Sequence, residues 1–554
     1  MRRGARLARP AAAVALAALA AAGCGKEAGG GAASAGGSGA AATAPATANL
    51  TPTTPAAKSE VPSATWATYR EVGSIDPAQA FDYPENTVIT SMCESLLRQE
   101  PDGTIVAGLA EPFERPDPKT VVITLREGPQ FWDGKPVTAD DVVFSLKRMQ
   151  DPATPSFYPA TFSRVKSIAK TGDREVTLKL SAPDFWLDGQ LSQMAGIVVE
   201  KAFAEKAGKK LGTPQGGIMC SGAYELGKWT PGTSLTVKAS GDYWDAARKA
   251  KVQTLEFRGV PDDSALTSGL LTGEIDGTYT LGVSTFEQLQ ASKDLKVSAG
   301  PSWALESFVV SSFDGVLGDV KVRQALSMAI DREGYIQTVL HGQSQVPRTL
   351  ANPGGFASGK AAWEEHWNAL PEPKLDVEGA KRLVEEAGAT GKTLTIGMTS
   401  EVSAINAMAT ALREAGTRIG LKVKLKSVSA ANFINFFTDP KAREGVDGFP
   451  TVNYSDYASP VGLWGTFAMK DGSQNYSGYE NPQVTKLMDQ MRAEADPEKA
   501  AELGGQIGDI LAKDLPWIAV SAPNSVLITN AKLTGAPSSF TYMGGPWANL
   551  LGGA

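Results

Sequence analysis

The apolar residues of this chain alternate between a two-residue repeat and a 3.6-residue repeat. A strand pattern, with apolar side chains on one face and polar side chains on the other, occurs at 175–181 (EVTLKLS) and 421–428 (LKVKLKSV). Apolar residues at helical spacing occur instead at 138–149 and 376–388. This strand–helix alternation predicts an α/β fold with mixed sheets.

End signals locate the two helices. Thr138 stands at the N-cap position of the first helix, and Asp140 and Asp141 place negative charge in its positive first turn. The second helix begins at Asp376 and stops at Gly388, in the position that favours a left-handed backbone. Both segments are therefore predicted to be capped amphipathic helices.

Length and composition exclude several classes of protein. A chain of 554 residues exceeds the ~250–300 residues at which one core stops growing, so at least two lobes are expected. A net charge of −7 argues against nucleic acid as a partner. The histidines are His341 and His366, which have no Cys or acidic partner at ligand spacing, so no metal site, cofactor or His-based triad is predicted.

The amino terminus is typical of an exported lipoprotein. Four arginines precede a run of 12 apolar residues, Ala11–Ala22, which is too short to span a ~30 Å hydrocarbon core. We predict a signal peptide at 1–23. The sequence AAGC resembles a bacterial lipobox, so Cys24 is predicted to carry lipid and to anchor the protein on the extracytoplasmic face of the cell membrane.

A segment rich in Gly, Ala, Ser, Thr and Pro follows the lipobox. Residues 24–60 contain almost no large apolar side chain, so this segment is predicted to be a disordered tether. If Cys24 is lipidated, Cys93 and Cys220 remain in an oxidising compartment. They form either a disulfide or two buried free thiols.

An ordered series of motifs resembles one known family. The strongest is the segment at 109–152, which is similar to the family signature LR-x-G-x-x-F-x-DG-x-P-x-T-A-x-DV followed by a helix. Further matches, in the family's order, are 74–77, 92–97, 220–229, 241–245, 271–277, 321–333, 376–388, 419–425, 475–484 and 515–520. Together they cover essentially all of 61–554. The chain is thereby identified as a member of bacterial extracytoplasmic solute-binding protein family 5, the peptide and nickel ABC-transporter lipoproteins of oligopeptide- and dipeptide-binding type.

The resemblance implies a two-lobed periplasmic-binding-protein-like fold, type II, of the large peptide-binding class, with a hinge. The lobe-crossing segments are expected near Val309–Ser312 and Ala519–Ala522. The implied domains are the signal peptide 1–23, the lipidated Cys and tether 24–60, lobe I over 61–311 with an inserted subdomain at about 84–205, lobe II over 312–520, and a return to lobe I over 521–554.

The resemblance also implies a ligand site at 453–464 (NYSDYASPVGLW), which is similar to the family's W-x-x-D-x-x-x-P stretch. The matching acid is Asp456, which would hold the α-ammonium group of a bound peptide in a water-poor cleft. The sequence departs from the pattern in its aromatic residue, which is Tyr454, two residues before the Asp, rather than a Trp three residues before it. In the alternative interpretation Asp456 only begins an Asx-turn. Other ligand-binding candidates in this stretch are Asn453, Ser455 and Trp464.

A second part of the site is implied on the near lobe. The segment at 70–77 is similar to the family's first strand, so backbone groups of Glu71, Val72 and Gly73 would pair with an extended peptide. The alternative is that these three residues belong to the sheet core. Further cleft candidates are Trp66, Tyr69 and Trp547.

The same comparison bears on the cysteines. The sequence CSGAY at 220–224 stands where many relatives have GTGPY, with Cys220 gained and Pro replaced by Ala223. Because Cys93 lies in the first helix, a Cys93–Cys220 bridge would replace the lost constraint.

Enzyme motifs fail on order and spacing. Two S-x-x-K matches occur at 163–170, but K-T-G begins on the Lys170 of the second one, which is not the order of a β-lactamase. The GKT at 391–393 has Glu386 where a P-loop needs Gly. We therefore predict no enzyme.

The expected function is that of a substrate-binding lipoprotein of an ABC importer. It would be a monomer that captures short peptides between two closing lobes and delivers them to a permease with cytoplasmic ATPases. Alternatives are a non-peptide solute such as an oligosaccharide, opine or metal chelate, a ligand-sensing lipoprotein without transport and, third, a secreted hydrolase.

Overall fold

The computed structural model of the protein describes residues 50–280 and 285–554. The predicted signal peptide, Cys24 and the tether up to residue 49 lie outside the described residues. Within the described part, no helix combines the length and the apolar character that crossing a membrane requires.

The strands are, in chain order, β1 (Ala64–Thr68), β2 (Leu97–Gln99), β3 (Ile105–Ala107), β4 (Glu114–Asp117), β5 (Thr120–Thr124), β6 (Val165–Lys170), β7 (Glu175–Leu180), β8 (Tyr224–Thr230), β9 (Ser234–Ala239), β10 (Thr254–Gly259), β11 (Gly277–Thr280), β12 (Leu295–Gly300), β13 (Ala304–Val310), β14 (Ser344–Gln345), β15 (Thr393–Met398), β16 (Lys422–Ser427), β17 (Gly448–Tyr454), β18 (Trp517–Pro523), β19 (Ser525–Asn530), β20 (Leu533–Thr534) and β21 (Gly552–Gly553).

The α-helices are α1 (Tyr83–Met92), α2 (Ala139–Gln150), α3 (Leu187–Gln190), α4 (Lys201–Ala207), α5 (Asp263–Thr272), α6 (Phe286–Gln290), α7 (Val320–Ala329), α8 (Arg332–Thr338), α9 (Lys360–Ala369), α10 (Val377–Glu386), α11 (Ser403–Arg418), α12 (Ala430–Phe433), α13 (Asn435–Thr438), α14 (Pro460–Phe467), α15 (Pro482–Ala493) and α16 (Pro497–Asp514).

Two mixed sheets organise the two lobes. The first sheet has seven strands in the order β12-β19-β11-β1-β10-β9-β8, with β1 parallel to β10 and β11 and the other pairs antiparallel. The second sheet has six strands in the order β14-β18-β13-β17-β15-β16. A four-stranded sheet, β4-β5-β7-β6, packs against α2 within the expected insertion. The α/β architecture and the mixed sheets are as the sequence predicts.

The local elements match their end signals. Strands β7 and β16 lie where the two-residue pattern predicts them. Helix α2 has Thr138 at its N-cap, and Asp141 completes a capping box. Helix α10 is capped by Asp376, and Gly388 beyond its end has φ +57°.

The chain crosses between the two large sheets at 301–303 and at Asn524. Both β13 and β18 belong to the second sheet, whereas β12 and β19 belong to the first. The crossings are therefore displaced from the expected Val309–Ser312 and Ala519–Ala522, because Val309 and Ala519–Ala522 lie inside second-sheet strands. The apolar runs of β13 and β18 predict burial but do not reveal which sheet they join.

The end of the predicted tether is ordered. The Lys58 N–H donates to the Gly553 carbonyl at 2.9 Å, Thr53 forms a β-bridge with Pro537, and Ala57 is buried. The prediction of a disordered segment is thus wrong for 50–60. Backbone hydrogen bonds to the carboxyl-terminal segment hold these residues, and composition gives no signal of such bonds.

The two remaining cysteines are joined. Cys93 follows the last residue of α1, Cys220 lies in the loop before β8, and they form a disulfide with Cα atoms 5.0 Å apart. The prediction of a Cys93–Cys220 bridge is confirmed. It ties the end of the first helix to that loop.

Candidate ligand cleft

A cavity of about 1250 Å³ lies between the lobes. One wall comes from the first-lobe segments around Tyr69–Arg70 and 157–163. The other comes from the end of β17, from α12–α15 and from the loop before α11. This volume exceeds the ~300–1000 Å³ typical of sites for drug-sized ligands. The cavity can therefore hold a larger solute.

Asp456 lies in this cavity, in the bend between β17 and α14. Its side chain is partly buried, and among the described residues its carboxylate has neither a hydrogen-bond donor nor an ion-pair partner. Burial alone raises the pKa of Asp456 from 3.8 to about 6. Within residues 50–280 and 285–554, no hydrogen bond of an Asx-turn engages the carboxylate, so it is available to a cation.

Tyr454 and Asn453 lie beside Asp456 and also line the cavity. The Tyr454 hydroxyl donates to the Phe81 carbonyl at 2.6 Å and accepts from Asn86 Nδ2 at 3.3 Å. Tyr454 therefore joins the far wall to the first lobe across the cleft. Asn453 is buried, and its Nδ2 donates to Ser307 Oγ at 3.3 Å.

The other two candidates of this stretch do not line the cavity. Trp464 is fully buried, packs edge-to-face on Trp363 and donates its indole N–H to the Leu350 carbonyl at 2.6 Å. Its expected ligand contact is thus corrected to a core position, because it points from the inner face of α14 while Gly465 and its neighbours on the other face line the cleft. Ser455 is 1% exposed and packs against α14 instead.

Arg70 forms a saturated ion cluster on the near wall. Its Nη1 and Nη2 each donate to Glu85, at 2.8 and 2.7 Å, and Nη2 also donates to Asp82 at 2.6 Å. The Nε donates to the Tyr69 hydroxyl, and Nη1 donates to the Glu71 carbonyl. All five guanidinium N–H groups are therefore engaged inside the protein.

This cluster changes the expectation for the near-wall backbone. Strand β1 ends at Thr68, so Glu71, Val72 and Gly73 lie beyond the sheet rather than in its core. The Glu71 carbonyl accepts from Arg70, and the Gly73 N–H donates to Glu85 at 2.7 Å. The Glu71 carbonyl and the Gly73 N–H were both expected to pair with a peptide, but each already has a partner within the protein.

The three near-wall residues also differ in where they lie. Glu71 lines the main cavity, whereas Val72 lines a smaller pocket of about 240 Å³ next to it and is 6% exposed. Gly73 lines neither of these two pockets.

An ion pair closes the rim of the cleft. Asp184, in the loop between β7 and α3, has a fully buried side chain that accepts two hydrogen bonds from Arg492 of α15. The Phe185 N–H donates to the Arg492 carbonyl at 2.8 Å, and Arg164 pairs with Asp489. These contacts hold the two lobes together beside the cavity.

Of the three remaining candidates, two are buried in the core and one lines the cavity. Trp66 and Trp547 are core residues with ring centroids 4.5 Å apart, whereas Tyr69 lines the cavity. The sequence patterns did not predict the aromatic and apolar wall of the cavity, which is formed by Phe157, Tyr158, Trp186, Phe433, Phe437 and Met469. The available signal was the aromatic run FYPATF at 157–162, which stands in a loop with an exposed Phe157.

Two lobes around a deep cleft, whose described lining includes a partly buried carboxylate without a partner, define a ligand-binding protein of the two-lobed class. The family described as bacterial extracellular solute-binding proteins, family 5 Middle, matches residues 104–503. The chain belongs to this family.

Curated relatives align over most of the chain. The periplasmic oligopeptide-binding protein OppA of Salmonella typhimurium is 28% identical over 468 residues, which are 80% of this chain and 84% of OppA. The periplasmic murein peptide-binding protein MppA of Escherichia coli is 28% identical over 448 residues, 76% of this chain and 81% of MppA.

Solved structures share the fold. The Helicobacter pylori periplasmic binding protein DppA, in complex with the peptide STSA, has a TM-score of 0.78 at 20% identity and covers 89% of this chain and 98% of its own. AgaA from A. tumefaciens R10, in complex with agropinic acid, has a TM-score of 0.76 at 20% identity, with coverage of 89% and 99%.

Proposed function

We propose that this protein captures short peptides between its two lobes and holds their amino end at Asp456. The observation that carries this proposal is the Asp456 carboxylate, which is partly buried in the cavity and has no partner among the described residues. Removing a carboxylate from water without a counter-ion costs free energy. A ligand ammonium group restores a charge-assisted hydrogen bond and is worth most in a closed cleft.

Peptide is the ligand class best supported by the relatives. The named relatives OppA and MppA bind oligopeptides and murein peptides, and the cavity is roomy and lined by aromatic groups. A peptide that is held by its amino end leaves its side chains in this space, where water fills whatever the side chains do not. Such a site accepts varied sequences.

The ion pair at the rim of the cleft contributes to the closure of the two lobes. A ligand that bridges the two walls favours the closed form by its differential affinity for that form. The Asp184–Arg492 pair then forms across the entrance. The protein binds and releases its ligand without catalysis.

We further propose the cellular setting that the amino terminus and the family suggest. The protein is exported, lipidated at Cys24 and anchored on the extracytoplasmic face of the membrane. As a monomer it delivers ligand to an ABC permease with cytoplasmic ATPases. The two bodies that move are the predicted lobes, with their limits shifted to the crossings at 301–303 and Asn524.

The test is mass spectrometry of the small molecules that co-purify with residues 50–554 made in an export-competent bacterium. The Asp456→Asn variant, prepared in parallel, is the matched control. Short peptides of mixed sequence that are released from the native protein and depleted from the variant are the expected result. One non-peptide compound, retained equally by both proteins, would overturn peptide capture through Asp456.

A further inference from the structure

More acidic than basic side chains line the walls of the cleft. Within the described residues, the acidic side chains that line the cavity are Glu71, Asp82, Glu401, Asp456 and Asp471. The basic side chains that line it are Arg70, Lys470 and Arg492. This difference alone favours cationic ligands.

Two of the three cations are fully committed to the protein. All five N–H groups of Arg70 donate to residues of its own lobe. The Arg492 charge is neutralised by the buried Asp184, and its guanidinium lies 5.3 Å from the Trp186 ring. Recruiting either cation for a ligand would leave a buried carboxylate unpaired, which is costly.

The third cation, Lys470, lies at the exposed rim. Its Nζ is 2.9 Å from Glu480, and its side chain is 75% exposed. A solvent-exposed ion pair contributes only about 0–1 kcal/mol. Lys470 is therefore a weak anchor for a ligand anion.

Most carboxylates that line the cavity have no ion-pair partner within the described part of the chain. Glu71 accepts a backbone N–H from Gly232, and Glu401 accepts one from Ala430. Neither contact neutralises the charge. Together with Asp471 and Asp456, these two residues leave an anionic surface around any solute in the cleft.

We propose that the cleft anchors a peptide by its amino end alone and disfavours a free carboxylate at the other end. This inference rests on the proposed function and specifies its substrate class: peptides whose carboxyl end is amidated or is balanced by basic side chains. A terminal carboxylate within the cavity finds no free cation among the described residues, and it is repelled by Glu401 and Asp471. Of the two ends of the peptide, only the ammonium end meets an opposite charge that has no partner among the described residues, which is the carboxylate of Asp456.

The experiment is calorimetric titration of the protein with three forms of one alanine pentapeptide: the free acid, the carboxyl-terminal amide, and the amino-terminally acetylated amide. We expect the amide to bind about two- to fivefold more tightly than the acid, as for one or two exposed charge interactions. Raising the salt concentration should shrink this difference. The acetylated amide should bind far more weakly than either.

A variant with Glu401→Gln and Asp471→Asn provides the mechanistic readout. The glutamine side chain introduced by Glu401→Gln keeps an acceptor for the Ala430 N–H, so the wall is preserved while its charge is removed. In this variant the advantage of the amide should disappear through a gain in affinity for the acid. A Lys470→Gln variant should keep the preference for the amide.

The outcomes separate this inference from the proposed function. A free acid that binds native protein as tightly as the amide, or more tightly, would overturn the inference while leaving peptide capture intact. Failure of all three peptides to bind would overturn the proposed function, and the inference with it.

Discussion

Two aspartates at the cleft have opposite surroundings. At the rim, the side chain of Asp184 is excluded from solvent and is paired with Arg492 from the other lobe. Inside the cavity, Asp456 has no partner among the described residues. Among the described residues, a cation therefore pairs with the aspartate at the rim, and none pairs with the aspartate in the cavity. The two proposed roles, lobe closure for Asp184 and ligand recognition for Asp456, follow from this difference.

Removing the ion pair at the rim should change the protein most. Replacing Arg492 by Leu leaves Asp184 buried and unpaired in the closed form but solvated in the open form. The closed form should lose about 3–5 kcal/mol relative to the open form. Small-angle scattering of the peptide-saturated variant should report a larger radius of gyration, and peptide affinity should fall.

The double variant with Asp184→Asn and Arg492→Leu is the matched control for the rim. It removes the buried charge together with its partner, so it should recover much of the closed form. Equal radii for native protein and the single variant would show that the pair contributes nothing to closure.

A third carboxylate, that of Glu306, is buried outside the cavity. Glu306 on β13 is fully buried and accepts a hydrogen bond from Ser521 Oγ at 2.7 Å, and burial raises its pKa from 4.5 to about 7. Between these values the unfolded chain releases the proton while the folded chain keeps it. The free energy of unfolding should therefore fall by about 3 kcal/mol as pH rises from 4.5 to 7.

The Glu306→Gln variant should lose this part of the pH dependence and be the more stable protein at pH 8. Its peptide affinity should stay unchanged, since Glu306 does not line the cleft. Urea unfolding at pH 5 and pH 8 measures the first effect, and peptide titration measures the second. An identical pH slope in native and variant protein would contradict the burial of an ionisable Glu306.

The smallest effect is the pH dependence of binding at Asp456. With a pKa near 6 in the free protein, Asp456 takes up a proton as pH falls below 6, and the protonated group cannot pair with an ammonium. Peptide affinity should fall about tenfold per pH unit below that point and stay level between pH 6 and about 7.5, where the peptide amino group is still charged. Titrations at pH 5 and 7 measure the slope, which should vanish in Asp456→Asn.

Local signals predicted much of the fold. Thr138 and Asp376 located helix starts because capping depends on a few neighbouring residues. The rim pair joins Asp184 to Arg492, which lie 308 residues apart, and no local pattern encodes such a contact. The expected lobe crossings were misplaced for the same reason, because an apolar strand pattern does not reveal which of the two sheets a strand joins.

The cleft was predictable only in part. Asp456 was predicted because the segment at 453–464 resembles a family pattern. Its lack of a partner among the described residues depends instead on which side chains the whole fold places in the cavity. Trp464 was misassigned because one turn of α14 carries both a core face and a cleft face. Which face a residue occupies is set by packing against the second-lobe core.

The most direct test of the unpaired Asp456 compares an amidated peptide with its amino-acetylated form on native protein and on Asp456→Asn. Acetylation and the substitution should each lower affinity by about 2–5 kcal/mol, as for loss of one partner of a buried charge pair. Together they should cost little more than either alone. Full affinity of the free-amine peptide for Asp456→Asn would contradict recognition at this carboxylate.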